Sequence, residues 1–383
     1  MKIGILTQPL RNNYGGILQA HALQSLLESM GHDATIINRQ YAYPTNGLLL
    51  RRFLSLLKCM IRRYLLGNKN VNIANPFDRH YTADRGWTYD FSALRKFVKH
   101  EIRQSRPLRS SKAVAKYAKK QRFNCFIVGS DQVWREEYSP CITDYFLGFL
   151  ANGCKARKIA YAASFGVSID PIPSKLDECI KLARQFDAIS VREESGVRLM
   201  KEIFGLDARL VLDPTLLMDA EHYRALIKKE DVKKSGVVSY ILDETAEKQN
   251  IIDDVTNKIG SIYTRILLFP FRNRCEKPKS VSISQWLSAI DNADFVVTDS
   301  FHGCVFSIIF KKKFVAIGNK ERGLDRFISL LGRLGLQDRL VCSLEEFECR
   351  KDVLMTAPDY AAVDLKLDNW RKDSLGFLNK LLN

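Results

Sequence analysis

A histidine stands where an apolar run gives way to a helical pattern. His302 follows the run 295–297, and the residues after Gly303 are again apolar with helical spacing. This order predicts a strand, a tight turn and a helix. In open α/β sheets, ligands bind at the carboxyl ends of strands, where helix N-termini offer N–H donors to anions. His302 is therefore a candidate acid–base group, and capping its own helix is the structural alternative.

Asp131 and Trp134 follow another apolar run, 123–129. At the end of a strand, Asp131 could serve as a base or orient a hydroxyl, and Trp134 could stack on a sugar ring. The structural alternative for Asp131 is to cap the turn that follows the strand. These two residues are candidates for contact with a hydroxylated substrate.

Ser164 and Arg192 end two further predicted strands. The planar guanidinium of arginine suits a carboxylate or phosphate, because it makes two parallel hydrogen bonds with either group. Arg192 could instead form a structural ion pair with Glu193 or Glu194. Both the binding and the structural interpretation are open for this residue.

The loop after the first predicted strand holds two adjacent glycines. Asn13, Tyr14, Gly15 and Gly16 join that strand to the first predicted helix. Glycines allow a close backbone approach to a ligand, and a helix N-terminus favours an anion or a sugar hydroxyl. The spacing is not Gly-x-Gly-x-x-Gly, so no dinucleotide site is predicted. A structural turn is an equal alternative to a binding loop.

Two more cations, Lys320 and Arg322, follow the predicted strand 314–317 near the same strand ends as His302. Several cations converging on one cleft indicate a small anionic substrate. The sequence contains no cluster with metal-ligand spacing, no Gly-x-Ser-x-Gly elbow and no Walker loop. The predicted chemistry is acid–base catalysis with cationic positioning and no metal.

Short apolar runs alternate with helical patterns along the chain, as in buried parallel strands with crossover helices. The predicted strands are 3–7, 35–38, 123–129, 158–164, 188–192, 209–212, 237–242, 265–269, 295–298 and 314–317. They predict an α/β protein with two doubly wound, Rossmann-like domains facing a cleft. The predicted domains are 1–218, with a basic insertion at about 45–115, then 219–365, and a C-terminal helix at 366–383 that packs back on the first domain.

The chain has 383 residues, of which 46% are hydrophobic and 27% charged, enough for a large core. No stretch is apolar enough for a transmembrane helix, and residues 2–7 are too short an apolar run for a signal peptide. The nine cysteines lack the paired spacing of zinc sites and favour a reducing compartment. We therefore expect a cytoplasmic protein.

The net charge of +16 is concentrated in one region. Between Arg51 and Arg122 there are 19 Lys or Arg residues and four acidic residues. Within this region, the segment 48–66 mixes large apolar and basic residues, as do helices that lie on anionic membranes. An ordinary docked helix with a solvated basic face is an equal alternative. No nucleic-acid partner is predicted, because no recognisable binding module accompanies the charge.

Together, the strand-end motifs resemble those of the polysaccharide pyruvyl transferase family. No single motif is specific, but the set occurs in order between residue 1 and about residue 340, interrupted by the basic insertion. The matching segments are 13–20, 129–134, 161–166, 190–196, 211–215, 298–303 and 318–323. The resemblance implies a fold like that of the two-domain GT-B glycosyltransferases.

The resemblance also implies a reaction. An enolpyruvyl unit would pass from phosphoenolpyruvate to two hydroxyls of one sugar, giving a cyclic pyruvate ketal. His302 would act as general acid toward the methylene carbon, and Asp131 or Asp299 would deprotonate the hydroxyl. Phosphoenolpyruvate is then a co-substrate, and no cofactor or metal is implied.

The binding residues are expected on either side of this centre. Better-studied relatives carry Arg-Leu-His where this chain has Ser300, Phe301 and His302. The expected donor-binding residues are Arg192, Ser300, Phe301, Lys320 and Arg322. Lys320 or Arg322 would supply the contact that the family's arginine makes. The expected acceptor-binding residues are Asn13, Tyr14, Gly15, Gly16, Trp134 and Ser164.

Two other functions fit parts of the sequence. A GT-B nucleotide-sugar glycosyltransferase would share the fold, although neither a uridine pocket nor a ribose-binding carboxylate is identifiable. A non-catalytic membrane- or anion-binding protein would use the basic region alone. For the transferase, the expected setting is capsule or exopolysaccharide biosynthesis, with a free or lipid-linked oligosaccharide acceptor at the inner face of the cytoplasmic membrane.

Overall fold

The computed structural model describes residues 1–43, 46–68, 73, 91–151, 153–166, 173–266, 280–318 and 323–383. Within them lie two β-sheets in which all paired strands are parallel. The first sheet contains β1 (Lys2–Leu6), β2 (Asp33–Ile36), β3 (Cys125–Val128), β4 (Arg157–Ala163), β5 (Ala188–Val191) and β6 (Arg209–Leu210). Its strand order is β2-β1-β3-β4-β5-β6.

The second sheet has the same winding. It contains β7 (Gly236–Tyr240), β8 (Tyr263–Arg265), β9 (Ala293–Thr298), β10 (Phe314–Ile317) and β11 (Leu340–Val341). Its strand order is β11-β10-β9-β7-β8. The predicted α/β fold with two doubly wound, Rossmann-like halves is confirmed. The sequence did not predict β11, because a two-residue strand carries too little periodicity to be recognised.

Helices connect the strands and cover the sheets. In the described part of the chain they are α1 (Tyr14–Ser29), α2 (Asn46–Met60), α3 (Ser92–Glu101), α4 (Ser111–Gln121), α5 (Leu176–Ala183), α6 (Glu194–Glu202), α7 (Ala220–Arg224), α8 (Ala246–Ile259), α9 (Ile283–Asp291), α10 (Phe301–Ile309), α11 (Leu324–Leu334), α12 (Leu344–Met355) and α13 (Tyr360–Leu382). None of these helices is both long and apolar enough to cross a membrane.

The strand order reverses beside the first strand of each sheet. In the first sheet the reversal lies between β1 and β3, and in the second between β7 and β9. Such switch points open a crevice at the carboxyl ends of the strands, where ligands of doubly wound sheets bind. The segments after β1, β3 and β9 carry Asn13, Asp131 and His302 respectively. The topology therefore brings these three predicted residues to the two crevices.

A shared hydrophobic core joins the two halves. Buried side chains of the first sheet, such as Ile5, belong to the same packed cluster as Val238 and Phe306 of the second half. Tyr14, from the first half, stacks on Trp286 with ring centroids 5.6 Å apart. The ring of Tyr240 packs edge-on against Tyr14 at 6.1 Å. The relative position of the two sheets is thus fixed by apolar packing.

The C-terminal helix α13 runs from the second half back to the first. Near its start, the Tyr360 hydroxyl donates to the carbonyl of Lys312 at 2.6 Å. Further along, Arg371 donates to the carbonyl of Leu216 at 2.6 Å, and Ser374 accepts a hydrogen bond from the Leu212 N–H at 3.0 Å. The helix thus links the two halves. It begins at Tyr360, six residues before the predicted start at 366, with Asp359 as its N-cap.

Candidate active site

His302 lies at the junction of the two halves. It is the second residue of α10, whose N-cap Ser300 accepts a hydrogen bond from the N–H of Gly303 at 3.4 Å. The imidazole reaches across to the start of α1, where a Cβ on Gly15 would overlap the ring. Only glycine leaves room for this close approach. His302 is 5% exposed, so its chemistry would take place in an enclosed space.

An ionised carboxylate faces the imidazole. The Oδ2 atom of Asp213 lies 3.6 Å from Nε2 of His302. Burial alone would raise the pKa of Asp213, but the neighbouring His302 and Arg192 hold it well below its usual range. At this distance an ionised carboxylate attracts a protonated imidazole. Asp213 therefore suits the imidazole to the role of proton donor, a partnership that the sequence had not predicted.

Arg192 connects this carboxylate to Asp131. Its NH1 group donates to Asp213 at 2.7 Å, and its NH2 group donates to Asp131 at 3.0 Å. The Nε atom lies 3.8 Å from an oxygen of Glu193, and the arginine side chain is 1% exposed. An ion pair is therefore observed, but both prongs of the fork bind Asp213 and Asp131 and not the Glu193 or Glu194 suggested by the sequence. To contact a donor substrate directly, Arg192 would have to release Asp213 or Asp131.

Asp131 is held from both sides of the first switch point. Its Oδ2 atom accepts a hydrogen bond from the side chain of Asn13 at 3.3 Å, opposite the bond from Arg192. Burial raises the pKa of this carboxyl, but nearby cationic groups, chiefly Arg192 and then His302, outweigh burial and lower it. The carboxyl therefore stays ionised but is a weak base. It is better suited to orienting a hydroxyl than to removing its proton early.

Phe301 lies between two guanidinium groups. Arg192 stands 5.1 Å from its ring centroid and Arg326 stands 5.3 Å from it. Arg326 belongs to α11 of the second half and is 6% exposed. Burial, followed by repulsion from Arg192, lowers its pKa to about 10. The sequence did not single out Arg326, although it lies only four residues after Arg322.

The remaining donor-side predictions divide in two. Ser300 and Phe301 adjoin His302, as expected from the sequence. Lys320 and Arg322 lie outside the described residues. Asp299, the other candidate base, accepts hydrogen bonds from the Leu242 N–H at 2.6 Å and from Lys248 at 2.7 Å. Both bonds join elements of the second half, which gives Asp299 a structural role.

The acceptor-side predictions are only partly brought together. The Asn13 side chain donates to Asp131, and it also caps α1 by accepting a hydrogen bond from the Gly16 N–H at 3.1 Å. Asn13 and Gly16 therefore lie beside Asp131. Ser164 is buried just beyond β4, where its carbonyl accepts a hydrogen bond from the Trp134 N–H at 3.2 Å. Asn13 and Gly16 therefore adjoin the network of His302, Asp213, Arg192 and Asp131 at its Asp131 end.

The predicted contacts of Tyr14 and Trp134 with a sugar are wrong for this structure. Tyr14 is fully buried against Trp286, and its hydroxyl donates to the carbonyl of Val281 at 2.7 Å. Trp134 is also fully buried, stacked on Phe146 at 5.2 Å, and its indole N–H is bonded in the interior. Neither ring has a face on which a sugar could stack. An aromatic residue after a strand fits a core position as well as a binding position.

The sequence from residue 13 to residue 321 matches the family model described as "Polysaccharide pyruvyl transferase". A search of curated protein sequences finds no significant match.

Solved structures support the fold. The UDP-GlcNAc 2-epimerase of Methanocaldococcus jannaschii superposes with a TM-score of 0.50 at 13% identity, covering 94% of both chains. A Listeria monocytogenes protein proposed to be a UDP-N-acetylglucosamine 2-epimerase gives a TM-score of 0.51 at 8% identity, covering 96% of this chain and 90% of that one. At such identities the likeness concerns the fold alone.

Proposed function

Because the chain belongs to the polysaccharide pyruvyl transferase family, we propose that it transfers an enolpyruvyl unit from phosphoenolpyruvate to a sugar, forming a cyclic pyruvate ketal. The observation that carries this proposal is the His302 imidazole beside the ionised Asp213, where the two halves meet. Such a pair can deliver a proton to carbon, which enolpyruvyl transfer requires and sugar transfer does not.

The reaction would begin at His302. Its imidazolium gives a proton to the methylene carbon of phosphoenolpyruvate, and the adjacent carbon becomes oxocarbenium-like. A sugar hydroxyl attacks that carbon, phosphate leaves with the electrons of its C–O bond, and a second hydroxyl closes the ring. The proton from one hydroxyl returns to His302, and the proton from the other leaves with phosphate. Because the protonated donor is strongly electrophilic, a weak base suffices to orient the hydroxyl, and Asp131 fits that role.

The donor carries a carboxylate and a phosphate, so several cations must hold it. Arg192 is already paired with Asp213 and Asp131, so other cationic groups would have to bind the carboxylate and phosphate of the donor. We assign Arg326 as one of them, because its guanidinium lies over Phe301, next to the histidine. Lys320 and Arg322 remain proposed as further donor contacts.

The acceptor would bind on the side of the first half. Asn13, Gly15, Gly16 and Ser164 are proposed to line this side around Asp131. The sugar belongs to a surface polysaccharide repeat unit in this proposal, either free or attached to a lipid carrier. A capsule or an exopolysaccharide would be the final product.

The experiment that tests this function is release of phosphate from phosphoenolpyruvate. Purified protein is incubated with phosphoenolpyruvate and a panel of free and lipid-linked galactosides and mannosides, while phosphate and acceptor mass are followed. We expect phosphate only with particular acceptors, together with the mass gain of one pyruvate less one water. Parallel reactions with nucleotide sugars serve as the comparison. Sugar transfer without phosphate release from phosphoenolpyruvate would identify a GT-B glycosyltransferase instead.

A further inference from the structure

The helix α2 continues into a short π-helix, Ile61–Leu65, and this continuous segment of 46–65 is unlike the rest of the surface. It carries five basic residues and no acidic one. Of the nineteen large hydrophobic side chains exposed in the described part of the chain, ten lie between Leu48 and Leu66. Exposed apolar side chains and basic residues are therefore both concentrated in this one segment.

The exposed leucines form one stripe. Leu50, Leu54, Leu57 and Ile61 follow the spacing of one helical face and are 63%, 53%, 56% and 44% exposed. We call these four residues the apolar stripe. It is continuous from the first turns of α2 into the π-helix.

The opposite side of the helix is the more covered one. Arg52, Cys59 and Arg63 lie roughly half a turn away from the stripe, and all three are only partly exposed. A helix docked on a globular protein shows the reverse, with its apolar face covered and its charged face in solvent. The alternative of an ordinary docked helix, which the sequence left open, therefore does not describe this orientation.

We infer that this segment lies in the surface of an anionic lipid bilayer, with the apolar stripe among the acyl chains. The exposed Arg51, Lys58 and Arg62 flank the stripe on one side, where they can reach lipid phosphates while their methylene stems stay in the interface. With five basic residues among its twenty, the segment 46–65 carries too much charge to cross a bilayer and is suited to lying along it.

Charge complementarity selects a bilayer over other partners. A second copy of the chain would bring an equally basic helix against this one, and like charges repel. Nucleic acid would satisfy the arginines but leave four large aliphatic side chains in water. An anionic bilayer satisfies both the apolar stripe and its flanking cations. This inference is independent of the proposed reaction.

The test compares three variants in co-sedimentation with vesicles, without any assay of activity. The stripe variant carries Leu50→Gln, Leu54→Gln, Leu57→Gln and Ile61→Gln, and the charge variant carries Arg51→Ser, Lys58→Ser and Arg62→Ser. The matched control replaces three exposed hydrophobic residues elsewhere by glutamine, Ile328, Val353 and Leu365, which are 52%, 49% and 67% exposed. Vesicles are either phosphatidylcholine alone or phosphatidylcholine with phosphatidylglycerol.

We expect the wild-type protein and the control to sediment with the anionic vesicles but only weakly with the neutral ones. Partitioning onto the anionic vesicles should fall about 100-fold in the charge variant, and at least tenfold in the stripe variant. Far-UV circular dichroism and thermal unfolding should match the wild type in all variants. The inference is overturned if the stripe variant binds like wild type, or if wild type is a dimer in solution that the stripe changes convert to monomers.

Discussion

Arg192, at the junction of the two halves, is buried and paired with carboxylates, whereas several basic residues along α2 and the π-helix are exposed. At the junction, Arg192 is 1% exposed and donates to two buried carboxylates. Along α2 and the π-helix that continues it, the segment 46–65 contains five basic residues and no acidic one, beside an exposed apolar stripe. Buried charges of the first kind hold the protein's own groups in place. The exposed charges of the second kind, Arg51, Lys58 and Arg62, are those that we propose to contact lipid phosphates.

The strongest test of the junction is His302→Ala. If His302 supplies the proton, turnover should fall about 10²-fold or more, the range seen when general acid–base catalysis is lost. Phosphate release under saturating phosphoenolpyruvate measures this effect. His100→Ala, at an exposed position in α3, is the control and should retain full activity. Near-normal turnover of the His302 variant would remove the imidazole from the mechanism.

The next test, Arg192→Lys, concerns the stability of the junction. Lysine keeps the charge but loses the fork that binds Asp213 and Asp131 together, so the free energy of unfolding should fall by about 3 kcal/mol. Urea denaturation measures this change. Arg198→Lys is the control, because Arg198 forms an exposed pair with Glu202 at 4.0 Å.

The same variant separates two roles for the arginine. We expect the KM for phosphoenolpyruvate to change little, since the guanidinium is occupied by protein carboxylates. Unchanged stability combined with a raised KM would instead show that Arg192 contacts the donor directly.

Much of this architecture can be predicted from the sequence, because parallel strands leave continuous apolar runs. The predicted strand 314–317 and the observed β10 coincide, and the strand ends near Asp131, Arg192 and His302 are as predicted. Since parallel strands bring their carboxyl ends to one edge of a sheet, local patterns were enough to gather Asp131 and Arg192, which both follow strands of the first sheet.

Pairing across the junction could not be predicted in the same way. The approach of Gly15 to His302 depends on how the two halves are packed. The approach of Arg326 to Phe301 depends on how α11 lies beside α10 within the second half. Tyr14 and Trp134 were wrongly predicted to bind sugar for a related reason, since a local pattern does not show whether an aromatic ring faces a cleft or the core. Only the tertiary structure distinguishes these outcomes.

The smallest predicted effect concerns His21, a buried histidine whose surroundings differ from those of His302. Its ring packs 5.3 Å from that of His222 and 5.7 Å from that of Phe97. Burial, with a smaller contribution from His222, lowers the pKa of His21 to about 4. The folded state therefore favours neutral His21, whereas the unfolded chain takes up a proton below a pH of about 6.5.

Stability from this group should be complete above pH 6.5 and should be lost as the pH falls toward 4. By pH 5 the loss is about 2 kcal/mol. His21→Gln should reduce the pH dependence of the free energy of unfolding by that amount, as measured by urea denaturation at pH 7 and pH 5. An unchanged dependence in the variant would show that His21 does not titrate in this window, and His100→Gln serves as the control.

The stacking of Tyr14 on Trp286 limits how halves of this chain could be exchanged with those of related proteins. Each ring completes a core whose other wall belongs to the opposite half. Neither half is therefore a portable module, because a chimaera cut between them would expose a large aromatic surface unless the partner offered a matching one. Exchange of acceptor or donor specificity should proceed through substitutions at the strand ends, with the two halves kept together.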